Sequence, residues 1–254
     1  MQITMKKILA AILIFDISAG LLLFVAYGNK LLIKGGQKDS KQEQSRVVWA
    51  VEEAEDAAGY ADSVIAEITD YKKIALTFDD GPHPYYTEQL LDGLKERGVV
   101  ATFFVTGEHT VLHPDVIKRM HEEGHLIGNH TYSHMQLTNG NKEEFKEELI
   151  ATSEVIEEII NEEVIYVRPP YGTWDKSFEG ELNMIPVLWS VDPLDWCTDN
   201  AATVVEKVIG QVEENDIILM HDYYASTVTA ALEIVDELQG QGYTFVTVEE
   251  ILFD

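Results

Sequence analysis

The sequence contains a single cysteine, Cys197, in 254 residues. One thiol cannot close a disulfide within the chain, and it cannot build the zinc sites that several cysteines form together. The disulfide-stapled folds of small secreted proteins are therefore excluded. Any metal ion must be bound by histidine and carboxylate side chains instead. We expect Cys197 to be an inert packing residue, because no histidine is placed to activate it.

Basic residues are also scarce. Lysine and arginine number 18 against 45 aspartates and glutamates, which gives a net charge of −27. A chain of this charge repels phosphate backbones, so general binding to DNA or RNA is excluded. The glycine-rich motifs of nucleotide-binding proteins are absent as well. Apolar residues make up 46% of the chain, which is enough to bury a substantial core.

Charge is almost missing from the N-terminal apolar run, where Asp16 is the only charged residue between Ile8 and Tyr27. Twenty residues extend about 30 Å as a helix, the thickness of the hydrocarbon core of a bilayer. Leu, Ile, Phe and Val contribute about −0.3 to −0.6 kcal/mol each to insertion, and the twelve present outweigh one Asp at about +2.5 to +3.5. We therefore predict a transmembrane helix within residues 1–28.

A cleaved signal peptide is the alternative, because Ala26-Tyr27-Gly28 resembles a cleavage site. The apolar run is longer than that of most signal peptides, which favours a single-pass membrane anchor. Residues 29–69 are predicted to be a linker or stalk. Residues 70–254 are predicted to be the folded domain, outside the cell on a membrane anchor, or secreted if the N-terminal segment is cleaved.

From Tyr71 onward short apolar runs alternate with helical periods, which predicts a parallel sheet. The predicted strands are Lys73–Phe78, Val99–Val105, His125–Gly128, Val164–Val167, Ile185–Val191, Asp216–Met220 and Tyr243–Val248. The predicted helices are Tyr86–Arg97, Asp115–Glu123, Lys142–Ile160, Ala201–Glu214 and Ala225–Gln239. Seven strands indicate an α/β fold of the distorted (β/α) barrel type.

In a parallel barrel the loops after the strands share one face and build the active site. Reactive side chains follow five of the seven predicted strands. The segments are Thr77-Phe78-Asp79-Asp80-Gly81-Pro82, Asn129-His130-Thr131-Tyr132-Ser133-His134, Arg168-Pro169-Pro170-Tyr171-Gly172, Asp192-Pro193-Leu194-Asp195-Trp196 and His221-Asp222.

His130 and His134 are four residues apart, a spacing that on one helical turn points both imidazoles the same way. One carboxylate from another loop would complete a three-ligand metal site with open positions. Zn²⁺ fits such a site best, and Fe²⁺ or another divalent ion also suits it. Alone, the H-x-x-x-H pattern is a weak signal.

A rival pair is His121 and His125, which match the H-E-x-x-H pattern of zinc proteases. Gly124 stands where a helix should stop, so His125 is expected to lie outside the helix that carries His121. We therefore predict a helix end with solvent-exposed histidines here and no metal site.

Asp79 and Asp80 are adjacent, so in a straight strand their side chains would point to opposite faces. The turn at Gly81-Pro82 ends the strand and would let both carboxylates reach the mouth of the barrel. A metal ion beside Asp80 and the guanidinium of Arg168 beside Asp79 would keep both ionised. The alternative is that Asp-Asp-Gly-Pro simply caps a turn.

His221 follows a predicted strand and should lie at the rim, where neighbouring groups tune its pKa. Asp195 is a candidate to hold and charge that imidazole. Trp196 is a candidate pocket wall.

Together these segments resemble the NodB-type polysaccharide deacetylases, carbohydrate esterase family 4, from about Lys73 to the C-terminus. The motifs that carry the resemblance are Thr77-Phe78-Asp79-Asp80-Gly81-Pro82, His130-Thr131-Tyr132-Ser133-His134, Arg168-Pro169-Pro170-Tyr171-Gly172, Asp192-Pro193-Leu194-Asp195-Trp196 and Leu219-Met220-His221. Five motifs in the same order form a strong signal, and none of the positions that carry chemistry is replaced.

The resemblance implies a role for each matching residue. Asp80, His130 and His134 would bind the divalent metal. Asp79 would be the general base, and Arg168 would orient it. His221 would be the general acid, and Asp195 would tune its pKa. The backbone N–H of Tyr171 would help to hold the oxyanion, and Trp196 and Leu219 would line the pocket.

The function implied is metal-dependent removal of N-acetyl groups from a polymer that contains N-acetylglucosamine (GlcNAc). Zn²⁺ is the expected metal, with Co²⁺ or another divalent ion possible. Peptidoglycan is the nearest such polymer for a membrane-anchored enzyme, followed by chitin oligomers. The alternatives are an O-acetyl esterase acting on a substituted polysaccharide such as acetyl-xylan, and a cell-surface glycan-binding protein whose metal is only structural.

Overall fold

Seven parallel strands form the sheet in the computed structural model, which describes residues 72–178 and 180–253. The strands are β1 (Lys72–Asp79), β2 (Thr102–Val105), β3 (Leu126–Asn129), β4 (Tyr166–Val167), β5 (Ile185–Pro186), β6 (Ile217–His221) and β7 (Tyr243–Val246). Their order is β5-β4-β3-β2-β1-β6, and β7 pairs with the first half of β1. Val191, just beyond β5, forms a parallel bridge to Ile218 of β6, so the sheet curls back towards its other end.

The described part of the chain has seven α-helices. These are α1 (Tyr86–Glu96), α2 (Gly107–Leu112), α3 (Pro114–Glu122), α4 (Lys142–Ile160), α5 (Ala201–Ile209), α6 (Ala225–Gly240) and α7 (Val248–Phe253). The alternation of strands and helices is the one expected for parallel pairing, because each return to the same sheet edge needs a crossover. The prediction of a barrel-like α/β fold with parallel strands is confirmed.

The core lies between the sheet and the helices. The last six residues of β1 are all buried, as expected for a central parallel strand that is covered on both faces. Phe78 stacks on Phe103 of the neighbouring strand with ring centroids 5.2 Å apart. Helix α1 packs Leu90, Leu91 and Leu94 into the same core.

Strand register decides which loops meet. Asp79, the last residue of β1, pairs with His221 at the end of β6 and with Phe104 of β2. Asn129 at the end of β3 pairs with Val105 and with Val167 of β4. The carboxyl ends of these strands therefore lie side by side, and the loops that follow them share one edge of the sheet.

Several predicted boundaries are wrong. The strands predicted to begin at Val99 and Val164 begin at Thr102 and Tyr166. The strand predicted at Ile185–Val191 is paired only at Ile185–Pro186 and at the single bridge of Val191, and proline lacks the N–H that a ladder needs. The helix predicted to reach Glu214 ends at Ile209, followed by Gly210. The last strand stops at Val246, and Val248 already begins α7.

The predicted membrane anchor and linker, residues 1–28 and 29–69, lie outside the described residues. Within residues 72–178 and 180–253, no helix combines the length and the apolar character needed to cross a bilayer.

Candidate active site

Two adjacent carboxylates lie at the end of β1. The backbone of Asp80 has a φ of 73°, a conformation that side-chain-bearing residues rarely adopt. This turn lets both side chains reach the same site. Asp79 Oδ2 lies 3.7 Å from His130 Nε2, and Asp80 Oδ1 lies 3.4 Å from the same nitrogen. Both carboxylates therefore lie at the mouth, which is one of the two arrangements that the sequence leaves open.

Gly81 makes the close packing of this turn possible. A Cβ atom built on Gly81 would lie 2.5 Å from Oδ1 of Asp222, a fully buried carboxyl that follows His221. Asp222 Oδ2 accepts a hydrogen bond from the hydroxyl of Thr87. Burial raises the pKa of Asp222 to about 7. Any larger residue at position 81 would displace the loop that carries Asp80.

Three side chains from two distant loops converge on one point. Asp80 Oδ1 lies 3.3 Å from His134 Nε2, and one donor atom from each of Asp80, His130 and His134 lies within 4.8 Å of the others. Asp80 Oδ1 is buried and has no hydrogen-bond partner. A buried carboxylate oxygen without a partner is unfavourable unless a cation satisfies it. Two imidazoles and one carboxylate therefore fit a divalent metal ion.

The protonation of the two histidines also suits a metal. His130 Nδ1 lies 2.6 Å from the carbonyl oxygen of Arg168. A carbonyl can only accept a hydrogen bond, so Nδ1 carries the hydrogen and Nε2 presents its lone pair to the site. Burial lowers the pKa of His134, which favours its neutral form. Burial opposes the charge on Asp80, but electrostatic attraction to the neighbouring histidines is stronger and lowers the pKa of Asp80 to about 2.

Arg168 fixes the other carboxylate. Its guanidinium is fully buried, and Nη1 donates to Asp79 Oδ1 at 2.8 Å and to Thr77 Oγ1 at 2.6 Å. The carbonyls of Val187 and Leu188 accept further hydrogen bonds from the same side chain. These contacts hold Asp79 so that Oδ1 is engaged and Oδ2 faces the site.

His221 is held from the opposite side by Asp195. The imidazole Nδ1 lies 2.9 Å from Asp195 Oδ1, and the backbone N–H of His221 donates to Asp195 Oδ2 at 2.8 Å. Thr227 at the start of α6 donates a third hydrogen bond to this carboxylate. Burial disfavours the protonated imidazole. The hydrogen bond to Asp195 and the negative charge of Asp195 favour it more strongly, and the charges of Asp79 and Asp80 add to this effect. The pKa of His221 is thereby raised to about 9.

The three predicted lining residues lie in different settings. Leu219 is buried in β6. It lies two residues before His221, so both side chains are on the same face of the strand. Trp196 is exposed over 55% of its surface in the loop that carries Asp195. Tyr171 has a φ of 61°, and its exposed ring lies 5.0 Å from the ring of His134.

The rival histidine pair forms no part of this site. Helix α3 ends at Glu122, and Gly124 has a φ of 85°, so His125 lies outside the helix as expected. The expectation that His125 is solvent-exposed is wrong, however. It is buried against Phe103, its Nδ1 accepts a hydrogen bond from the backbone of Ala101, and burial lowers its pKa to about 4. It is a neutral core histidine.

The packing position expected of Cys197 is wrong, because the residue is exposed, next to Trp196 in the chain.

The chain is similar to known proteins over about 70% of its length. The model of the polysaccharide deacetylase family matches residues 66–187. A peptidoglycan-N-acetylglucosamine deacetylase of Bacillus cereus is 39% identical over 189 residues, which cover 71% of this chain and 88% of that protein. The chain belongs to the polysaccharide deacetylase family. The resemblance stated from the five motifs is therefore confirmed.

Two further members of the family extend the comparison. The peptidoglycan-N-acetylmuramic acid deacetylase PdaC of Bacillus subtilis is 42% identical over 180 residues, but these cover 71% of this chain and only 38% of that protein. The solved structure of PdaC superimposes with a TM-score of 0.69 at 41% identity, covering 72% of this chain and 90% of that one. The structure of a family 4 acetyl xylan esterase of Clostridium thermocellum, solved with a cobalt ion, superimposes with a TM-score of 0.66 at 31% identity. The match covers 71% of this chain and 90% of that one.

Within this deacetylase fold, two residues that support the site, Glu148 and His109, were not predicted from the sequence. Glu148 of α4 accepts hydrogen bonds at Oε2 from the backbone N–H groups of Tyr132 and Ser133, at 3.1 and 2.9 Å. Its Oε1 accepts a third from the Ser133 hydroxyl at 2.6 Å. Glu148 thereby holds the loop between His130 and His134. Nothing in the sequence marks it, because it is one of several glutamates on the same helix.

His109 supports the first loop in the same way. Its Nδ1 lies 2.8 Å from the carbonyl oxygen of Asp80 and 3.0 Å from the hydroxyl of Thr106. The carbonyl contact requires a hydrogen on Nδ1. His109 therefore holds the Asp80 backbone in its unusual conformation, and each of the two metal-site loops has its own polar anchor.

Replacing Glu148 with Ala is expected to weaken Zn²⁺ binding by about 10-fold or more, because outer hydrogen bonds orient the ligands of a metal. Glu148→Gln keeps an oxygen that can accept from both N–H groups and should restore most of the affinity. Glu147→Ala removes the same charge from the preceding position of α4, an exposed residue whose side chain makes no hydrogen bond to the described residues. Chelator competition measures the three affinities, and equal values for Glu148→Ala and Glu147→Ala would contradict the role of Glu148.

Proposed function

We propose that this chain is a metal-dependent hydrolase that removes N-acetyl groups from GlcNAc-containing cell-wall polysaccharide. The observation that carries the proposal is the gathering of Asp80, His130 and His134 around one point, flanked by Asp79 on one side. His221 pairs with Asp79 across the neighbouring strands and so flanks the same point. A metal-ligand set with a carboxylate and an imidazole beside it suits hydrolysis of an acyl group.

Asp79 is the proposed general base. Arg168 engages Oδ1, which leaves Oδ2 to accept a proton from the attacking water. The fully buried guanidinium also stacks on the ring of Phe104 at 4.2 Å, so the pair is rigidly placed. A fixed carboxylate needs little reorganisation as the water attacks.

His221 is the proposed general acid. With a pKa of about 9 its imidazole is protonated at neutral pH. Asp195 accepts from Nδ1, so Nε2 is the nitrogen that can donate a proton into the site. An amine is a poor leaving group, and protonation of the amide nitrogen is therefore required for the C–N bond to break.

Asp80, His130 and His134 would hold the divalent ion, and Zn²⁺ suits this donor set best. When bound, such an ion polarises a carbonyl group and lowers the pKa of water. The backbone N–H of Tyr171 is the proposed second donor to the developing oxyanion. Leu219 and Trp196 are the proposed walls for the acetyl methyl group.

The proposed substrate is an N-acetylated glycan, peptidoglycan first and chitin oligomers second. Two relatives that align with 71% of this chain are named for deacetylation of peptidoglycan sugars, one at N-acetylmuramic acid and one at N-acetylglucosamine. The acetamide is common to both sugars. The position of His221 as a proton donor supports an amide substrate over an O-acetyl ester, whose alkoxide leaves more readily.

The test is acetate release by the purified, Zn²⁺-loaded full chain from peptidoglycan, GlcNAc oligomers and acetyl-xylan. We expect release from one or both N-acetylated glycans and much less from acetyl-xylan. Release from acetyl-xylan alone would replace the proposal with O-acetyl esterase activity. Binding to glycan without release from any of the three would indicate a non-catalytic surface protein.

The activity should depend on Asp195 through pH. Asp195 raises the pKa of His221, so Asp195→Asn lowers that pKa, and the imidazole loses its proton at a lower pH. The alkaline limb of the kcat/KM profile should therefore move to lower pH by about one unit or more. A profile measured from pH 5 to 10 on GlcNAc oligomers checks this. An unmoved alkaline limb with reduced kcat throughout would show that His221 is not the group that titrates.

We further propose that residues 1–28 anchor the chain in the cell membrane and that residues 29–69 connect them to the catalytic domain, residues 70–254, outside the cell. The support is the apolar run between Ile8 and Tyr27 and the extracellular position of the proposed substrate. External protease should release the domain from intact cells. Protection of the domain until the cells are lysed would contradict this location.

A further inference from the structure

Exposed aromatic side chains are concentrated at the same edge of the sheet as the site. Among the described residues, six aromatic rings are exposed, and five of them lie in loops that follow strands at this edge. The five are Tyr85, Tyr171, Trp196, Tyr223 and Tyr224, and the sixth is Phe253 in α7. Exposed apolar surface that gathers in one place, beside a site, marks a surface that binds something.

Three tyrosines from two of these loops line an open groove of about 560 Å³. Tyr86 begins α1, and Tyr223 and Tyr224 lie between β6 and α6. The polar residues of the groove are Asp199, Ser226 and Thr229. Aromatic walls with a few polar groups are typical of surfaces that bind small ligands. Only one of the lining residues is charged, which suits a neutral ligand.

The groove begins beside the metal-site loop. Tyr223 lies two residues after His221, and its ring centroid is 5.4 Å from that of His109. His109 is the residue whose Nδ1 contacts the Asp80 carbonyl at 2.8 Å. One side chain therefore separates the groove from the loop that carries a proposed metal ligand. A ligand that occupies the site and extends in this direction enters the groove.

The aromatic wall is held in place before any ligand binds. His83 stacks on Tyr86 with ring centroids 4.5 Å apart and meets the ring of Tyr223 edge-on at 4.8 Å. Its Nδ1 accepts hydrogen bonds from the backbone N–H groups of Tyr85 and Tyr86. Tyr223 and Tyr224 pack edge to face at 6.3 Å. Such preorganisation reduces the entropy that a ligand loses on binding.

We propose that this groove is a subsite for a neutral pyranose ring of the glycan, next to the sugar whose acetyl group is removed. The inference rests on the proposed function. The C–H face of a pyranose packs on the flat tyrosine rings, and its hydroxyl groups donate to Asp199 or exchange hydrogen bonds with Ser226 and Thr229. The ring in the groove belongs to the same glycan chain as the sugar that is deacetylated. The enzyme should therefore have a higher kcat/KM for oligomers than for single sugars.

The test compares the dimer and the hexamer of β-1,4-linked GlcNAc as substrates. In the wild-type chain, kcat/KM should be about 10-fold or more higher for the hexamer than for the dimer. Tyr224→Ala should reduce this ratio several-fold by raising KM for the hexamer, whereas Tyr224→Phe, which keeps the ring, should preserve it. Phe253→Ala removes another exposed ring, from helix α7, which does not line the groove, and is the matched control. An equal loss on both substrates, or an unchanged ratio in Tyr224→Ala, would overturn the subsite.

A binding measurement separates this proposal from the proposed function. Calorimetric titration of the metal-free full chain with the hexamer requires no hydrolysis. Weaker binding to Tyr224→Ala than to Phe253→Ala supports the groove even if no acetate is released from any glycan. Equal binding to both variants overturns the groove, even where the wild-type chain is an active deacetylase.

Discussion

Replacing Asp79 with Asn is expected to lower kcat/KM for acetate release by about 10²- to 10⁴-fold, the contribution typical of a positioned general base. The asparagine oxygen still accepts the hydrogen bond that Arg168 donates to Asp79 Oδ1, so the geometry of the loop is retained. The amide has no free carboxylate oxygen to take a proton from water. The loss should therefore appear in kcat at saturating metal and substrate.

The control for this variant is Asp115→Asn, which changes the same functional group on the exposed first turn of α3. Zn²⁺ affinity is measured in parallel, and Asp79→Asn should bind the ion with an affinity close to that of the wild-type chain. An Asp79→Asn chain that retained more than about a tenth of wild-type kcat/KM would remove Asp79 from the role of base.

Replacing His221 with Gln is expected to separate amide from ester hydrolysis. Release of acetate from GlcNAc oligomers should fall by about 10²- to 10⁴-fold, because the amine leaves only if it is protonated. An activated ester such as 4-nitrophenyl acetate leaves as a stable phenolate and needs no proton. Its hydrolysis should fall by no more than about 10-fold in the same variant.

The two substrates act as internal controls for each other. A variant that has lost its fold or its metal loses both activities together. Equal losses on amide and ester, with unchanged Zn²⁺ affinity and thermal stability, would mean that His221 stabilises the site without donating a proton. A retained amide activity would exclude it from the reaction.

Much of the site could be predicted from the sequence because its chemistry sits in short local patterns. The pair Asp79-Asp80 before Gly-Pro, and the spacing of His130 and His134, are each visible within six residues. Buried apolar runs mark where the strands end, and parallel strands bring their carboxyl ends to one edge. The convergence of these loops follows from those two facts.

What the sequence could not show is the pairing of distant segments. The neighbour relation between Asp79 and His221 depends on the β1–β6 register, which joins residues 142 positions apart. Glu148 acts through its place on one face of α4, and a run of acidic residues carries no signal for that. Likewise, His125 is satisfied in the core because the backbone N–H of Ala101, a residue 24 positions earlier, donates a hydrogen bond to its Nδ1. Such contacts depend on tertiary packing, not on local pattern.

The most direct test of the account is calorimetric titration of Zn²⁺ into the metal-free full chain and into the variants Asp80→Ala, His130→Ala and His134→Ala. We predict one tight site per wild-type chain and a loss of about 100-fold or more in affinity for each variant, because each removes one of three protein ligands. Thermal unfolding of the metal-free chains shows whether the variants remain folded. Variants that are folded and bind Zn²⁺ as tightly as the wild-type chain would contradict the convergence of these three residues on one ion.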